Sequence, residues 1–391
     1  ASGSDTGHSI VLDLSEFEPP KALYLHVPFC RTRCRYCAFL SSVDWSLGDQ
    51  QRYVDSVVHQ LQAVREWMAE VETIYVGGGT PSVLPPRLLG RLLDSARRSA
   101  PAAREVTVEA NPESTTGETV RALCATGVTR LSLGVQSVSP RVLDQLGRSE
   151  AGSHVVHLRE VWHGSLSLDL LLDAPEATPT DSNQAALFAA QLGAEHVSAY
   201  ILTPEPRTPI ARDIAAGSAL PDTDALDQCA SLLRREGLHR YEVSNFARPG
   251  HECVHNRRYW QPSGYLGLGP GAVSTLYGSS CAVRLNQPRR APTESELSSP
   301  FAAASREDLS VDQLWGEYLM LRLRTADGIS RTDYARRFGT DLLDTHAPGI
   351  ERMVQEGLLR VMTDRIAVPG ARLSFADRAV RELFCSATTR P

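Results

Sequence analysis

The 391-residue chain reads as an α/β protein built on parallel strands. Three observations carry that expectation. Short apolar runs rich in leucine and β-branched residues, at 22–27, 73–76, 105–109, 130–134, 165–172 and 196–202, alternate with amphipathic stretches of helix length. A repeating strand-then-helix unit requires parallel pairing with right-handed crossovers. Polar and glycine features follow the C-terminal ends of the strands: Cys30 after the first, Gly77, Gly78 and Gly79 after the second, Glu109 ending the third and Gln136 after the fourth. In doubly wound sheets and in barrels alike, that rim carries the chemistry. The periodicity leaves both architectures open, the barrel complete or partial.

In chain order, 1–20 is a polar, acidic N-terminal segment without the basic-then-apolar pattern of an export signal. A helix over 51–69 places Val54, Val57, Val58, Leu61 and Val64 on one face, and 87–97, 117–126, 140–146 and 183–192 read similarly. Pro204, Pro206 and Pro209 mark a turn-rich change of texture, followed by a helix at 224–235 and a strand at 240–243. The stretch 286–300, rich in Pro, Ser and Arg, reads as a linker. Beyond it, helices at 311–323 and 349–356 and strands at 359–361 and 365–368 suggest a small winged-helix-like unit. The expected divisions are therefore 1–20, an α/β domain over 21–210, a β-containing extension and linker over 211–300, and the C-terminal unit over 301–391.

Composition excludes several classes. With 40 basic and 46 acidic residues the net charge is −6, so binding nucleic acid by neutralising phosphates is not expected. The C-terminal unit, with 13 Arg against 13 Asp plus Glu, gives no basic footprint either. No apolar run approaches the ~18 residues of a membrane helix, and a cytoplasmic location is expected. Eight cysteines are too few for a disulfide scaffold. Three of them, Cys30, Cys34 and Cys37, share one loop after the first strand. Clustered thiols point to metal or redox chemistry. Three thiolates can hold a corner-open iron–sulfur cube, whose fourth iron is then free to chelate an amine and a carboxylate. Zinc would need a fourth ligand, for which His26 is within the same stretch.

Cys-x3-Cys-x2-Cys after LYLHVPFC resembles the radical S-adenosylmethionine (SAM) superfamily, and more narrowly its branch of oxygen-independent coproporphyrinogen III oxidase and haem-chaperone relatives. The resemblance continues through GGGTPS, EANPES, GVQS, LGR, LDL, YEVSNFA and CVHNRRYW, and spans roughly 20–385. It implies a partial (β/α)6 barrel of TIM type, with Cys30, Cys34 and Cys37 holding a 4Fe–4S cluster. By the same resemblance Tyr24, Tyr36, Gly77, Gly78, Gly79, Thr80, Glu109, Gln136, Arg148 and Asp169 contact SAM. A small-molecule substrate and an external one-electron reductant of flavodoxin or ferredoxin type are implied as partners; nucleic acid and membrane are not.

The segment Cys253–Trp260 resembles one associated with haem binding, with His255 as axial ligand and Tyr259 and Trp260 against the macrocycle. A hydrogen-bonded histidine beside buried aromatics explains it equally well. Four positions depart from the expected pattern: Ala38 for Asp, Glu150 for His, Asp173-Ala174-Pro175 for Gly-Leu-Pro, and Val273 for His. An intact cofactor end beside an altered substrate end resembles the class C methyltransferases and cyclopropanases of natural-product biosynthesis. The leading expectation is accordingly one-carbon transfer to an unsaturated carbon, using a second SAM and a partner methyltransferase to finish the product. Haem chaperone is the alternative, and porphyrinogen oxidation the third reading.

Overall fold

The computed structural model describes residues 16–149, 152–218, 224–278, 281–290, 301 and 303–386. Glu150, residues 1–15 and the 291–300 part of the expected linker lie outside them.

Six parallel strands form the heart of the fold: β1 (Ala22–Val27), β2 (Thr73–Gly78), β3 (Glu105–Ala110), β4 (Arg130–Gln136), β5 (Ser165–Leu172) and β6 (His196–Ile201), adjacent in that order. They build the partial (β/α)6 barrel. Two short antiparallel strands, β7 (His239–Arg240) and β8 (Asn245–Ala247), extend the β6 edge. Against β1 lies β9 (Tyr265–Leu268), followed outward by antiparallel β10 (Val273–Tyr277), β11 (Ala282–Asn286) and β12 (Ser305–Leu309). The strand expected at 240–243 is instead a two-residue strand and a turn, because Glu242 bridges to Thr325 in the C-terminal region.

Each barrel strand alternates. Leu23, Leu25, Ile74, Val76, Val106, Val108, Leu131, Leu133, Leu166, Leu168 and Val197 are buried in the main core under the helices. The residues between them are polar and line the interior. Register sets Tyr24 beside Tyr75 and Tyr75 beside Thr107, and sets Glu109, Ser132, Ser167 and His196 in one row.

Helix starts follow their caps. Ser46 and Asp49 form a capping box, so the first helix runs Leu47–Ala63, four residues earlier than its apolar stripe suggests. Thr178 with Asp181 likewise starts Pro179–Gln191. Helix Gly152–Val161 has too weak an apolar face to be read from periodicity.

A second core, around Trp315, Tyr318, Tyr334 and Ile350, belongs to the C-terminal region. Its helices pack with a three-stranded sheet of β13 (Ile329–Ser330), β14 (Arg360–Val361) and β15 (Arg365–Ala367). The helix expected at 349–356 spans Leu342–Gln355: Pro348 lies inside it, and Asp341 caps the true start. Among the described residues no helix is long and apolar enough to cross a membrane.

Candidate functional site: a cysteine loop over a polar barrel

The loop after β1 is closed at its base by a reciprocal pair of backbone bonds, Cys30 N–H to Ser42 O at 2.9 Å and Ser42 N–H to Pro28 O at 2.8 Å. Trp45 Nε1 holds the Cys30 carbonyl at 2.8 Å. Arg35 N–H ties the loop to Leu146 O across the rim at 3.1 Å. Within this frame Cys30, Cys34 and Cys37 are half-buried free thiols. Burial pushes the Cys37 thiol up, with the neighbouring Cys34 and Cys30 adding to it. Thr80 Oγ1 reaches Cys30 Sγ at 3.6 Å, and Arg148 Nη1 reaches Cys34 Sγ at 3.7 Å. Among the described residues no three His, Cys, Asp or Glu side chains converge on one ion. A cube of four irons does not ask that of them, since each iron takes one thiolate.

Arg148 is the rim's organiser. Its guanidinium donates to Gly134 O at 2.7 Å and Asn111 Oδ1 at 3.1 Å, and pairs with Glu113 at 3.4 Å, while its Nε is buried without a partner. An orphaned donor beside the cysteines is what a ligand-facing arginine would show. The thiols, their cationic neighbour and this donor fit a thiolate-held cluster with a carboxylate-bearing ligand beside it.

The three glycines are needed for close approach within the chain itself. A Cβ on Gly77 would lie 2.8 Å from the Glu109 carboxyl, and one on Gly79 only 2.6 Å from Phe29 O. Gly78, at φ +108°, donates its N–H to Glu109 Oε2 at 3.0 Å, and Tyr75 O–H donates to Oε1 at 2.8 Å. Burial, reinforced by Asp169, raises the Glu109 carboxyl to about 7. Burial also raises Asp169, held by Ser132 Oγ at 3.1 Å, to about 6. Gln136 sits at φ 66°, a strained conformation for a side-chain-bearing residue at the end of β4. Tyr36 turns to a small apolar cluster with Val142, Leu146 and Ile210.

Two cavities meet at Tyr24, Glu109 and Tyr259. The inner one, about 220 Å³, is the barrel interior, bounded by Tyr75, Arg130, His196 and His255 among others. The outer one, about 420 Å³, opens beside the cysteine loop and is walled by Phe39, Leu40, Tyr265 and Arg289. Ala38 and Val273, two of the departures, share its wall; Ala174 belongs to the Tyr36 cluster instead. The polar interior residues Tyr75, Thr107, Ser132, Ser167 and Ser198 escaped the motif reading, although strict alternation along the strands signals them.

His255 is engaged on both ring nitrogens within the chain. It is fully buried, with Nδ1 on Thr73 Oγ1 at 2.9 Å and Nε2 on Tyr259 OH at 3.0 Å. Its backbone N–H donates to Glu105 Oε1 at 2.8 Å, and burial lowers its pKa to about 3. The Nδ1 bond to Thr73 of β2 holds helix Val254–Trp260 against the barrel, and the Nε2 bond to Tyr259 runs within the helix. Of the two readings of this segment, the hydrogen-bonded histidine beside buried aromatics is the one this geometry favours. Trp260 is half-buried and borders neither cavity; its carbonyl accepts from Arg322 Nη1 at 3.5 Å. Of the trio, His255 borders the inner cavity and Tyr259 borders both.

A thiolate loop at the mouth of a partial (β/α)6 barrel defines a class of protein, and comparison with known families agrees. The Radical SAM superfamily model matches residues 24–157, and the HemN C-terminal domain model matches 309–370. The haem chaperone HemW of Mycobacterium tuberculosis is 36% identical over 387 residues, covering 93% of this chain and 95% of that protein. HemW of Escherichia coli is 31% identical, covering 88% and 93%. The structure of the Escherichia coli coproporphyrinogen III oxidase HemN aligns with a TM-score of 0.79 at 21% identity, over 95% and 91% of the two chains. The chain belongs to the radical SAM superfamily, in its HemN-like branch. That membership implies a 4Fe–4S cluster and SAM.

The same comparisons overturn the leading expectation of a methyltransferase or cyclopropanase. Relatives matched along nearly the whole chain, from several bacteria, are named haem chaperones. Four departures within an otherwise continuous match were too little to assign a different reaction. The second SAM and the partner methyltransferase lose their basis with it.

Proposed function

We propose that this chain is a haem-binding radical SAM protein of the chaperone type. The observation that carries the reading is the match to haem chaperones over 93% of the chain, through both the barrel and the C-terminal region. The open aromatic cavity beside the cysteine loop supports it, being large and apolar enough to receive part of a flat macrocycle.

In this reading Cys30, Cys34 and Cys37 each hold one iron. Arg148, Thr80, Gln136 and the backbone at Gly77, Gly78 and Gly79 face SAM, while Glu109 and Asp169 supply carboxylates to its polar groups. When bound, the cluster and SAM supply one-electron cleavage of a carbon–sulfur bond. Tyr24 and Tyr36 pack beside them and keep water out. A reductant of flavodoxin or ferredoxin type would serve the cluster.

The test is haem titration of the anaerobically reconstituted protein. Saturable binding near one haem per chain is expected. Absence of saturable binding to protein of full iron content overturns the reading.

A further inference from the structure

The outer cavity offers every group that could ligate a haem iron, and every one is engaged. His26 Nδ1 bonds Tyr24 OH at 3.0 Å and its Nε2 bonds Leu40 O at 2.8 Å. Tyr259 OH is on His255 Nε2 at 3.0 Å, and Tyr265 OH accepts from Thr275 Oγ1 at 3.1 Å. Burial raises the phenols of Tyr24, Tyr259 and Tyr265, so none presents a phenolate. With both His26 nitrogens and each phenol oxygen already bonded within the chain, ligating an iron would cost one of these bonds.

What the cavity does offer is charge at its mouth. Arg289 is exposed there, and among the described residues no carboxylate lies within ion-pair distance of its guanidinium. Its charge is felt inside, where together with the larger effect of burial it holds His26 below the ordinary histidine value. Glu109, buried beside Gly78, borders the same cavity. Ala38, Phe39, Leu40 and Val273, all apolar, line it as well. The cavity is thus polarised: an exposed cation, a buried carboxyl and apolar walls. A flat apolar ligand carrying carboxylates on one edge has one favourable orientation, carboxylates toward Arg289 and apolar edge inward. Haem and its metal-free parent share that shape and those carboxylates.

Resting on the haem-binding reading above, we propose that this cavity grips its porphyrin through a peripheral carboxylate on Arg289 and aromatic contact with Tyr259, and not through the iron. Arg289 is then the specificity-determining residue: it selects a carboxylate-bearing macrocycle whatever the macrocycle's centre holds. A planar guanidinium suits this role, because it can take a carboxylate in bidentate fashion.

The experiment compares three probes on the reconstituted protein by fluorescence quenching and difference absorption: haem, metal-free protoporphyrin diacid, and its dimethyl ester. Haem and the diacid are expected to bind within about threefold of each other, and the ester about tenfold or more weaker, the cost of losing one charge-assisted pair. Arg289→Ala should bring the diacid down to the level of the ester, and Arg289→Lys should recover part of the loss. Iron content and melting temperature of each variant report whether it is folded. Tight haem binding with no binding of the metal-free diacid would overturn the proposal in favour of axial ligation, while leaving haem binding itself intact. Equal binding of diacid and ester would overturn the arginine anchor. Failure of all three probes would instead reject the haem-binding reading on which the proposal stands.

Discussion

The mouth and the floor of the barrel use the same residue types to opposite ends. At the mouth, Arg148 keeps an orphaned Nε, Arg289 has no carboxylate beside it among the described residues, and three thiols stand free. At the floor, Glu105 accepts from the backbone of Val254 and His255, and His255 spends both nitrogens on Thr73 and Tyr259. Between Arg148 and His255 the difference is saturation of hydrogen bonds: the histidine finishes its bonding within the chain and holds the fold, and the arginine is left one donor short and is available to a ligand. Residue identity alone does not distinguish the two roles. A histidine in a motif is a ligand or a rivet according to what already touches its ring.

The sharpest way to break this contrast is at the mouth. Replacing Cys30, Cys34 and Cys37 together with Ala should reduce reconstituted iron from about four per chain to background and abolish SAM cleavage. Retained cleavage would remove the mouth from the chemistry altogether. A subtler change at the same place is Gly77→Ala. Its Cβ would stand 2.8 Å from the Glu109 carboxyl, displacing the group that Tyr75 and Gly78 hold. SAM cleavage should fall by about 10–100-fold, with iron content unchanged. An unaltered rate would show that the position of Glu109 is irrelevant to SAM.

A smaller effect concerns pH. Glu109 is raised from 4.5 to about 7 by burial and Asp169. The unfolded chain therefore ionises this carboxyl first, so folding stability falls as pH rises from about 4.5 through 7. The shift of about 2.5 units corresponds to at most about 3 kcal/mol. Asp169, raised to about 6, contributes with the same sign. The cluster-free protein should lose thermal stability between about pH 4.5 and 7, and Glu109→Gln should flatten that slope. An unchanged slope would place the titrating group elsewhere.

Much of the mouth was legible because local sequence encodes it. The spacing of Cys30, Cys34 and Cys37 and the glycine run after β2 are short-range patterns, and strand periodicity located all six barrel strands. The floor was legible only as one of two equal readings of His255, because its partners are distant in sequence: Thr73 and His255 are 182 residues apart, and only the folded barrel brings them together. Arg289 was hidden for a related reason. It lies in a polar run that reads as a linker, yet β9–β11 fold back against β1 and bring it to the cavity wall. The start of the helix expected at 349–356 was hidden too, because its cap, Asp341, lies about two turns upstream of Pro348. The reaction was misjudged because changes at Ala38 and Val273 were weighed above the continuity of the surrounding chain.

The measurement that tests the contrast most directly is haem binding by His255→Ala, read together with its stability. Removing a fully buried imidazole with two hydrogen-bonded neighbours should cost about 3 kcal/mol and lower the melting temperature. Haem affinity of the folded variant should remain within about threefold of the parent, since half an order either way is only ~0.7 kcal/mol. A variant of unchanged melting temperature that has lost its haem spectrum would contradict the account, and would make the floor histidine the iron ligand after all.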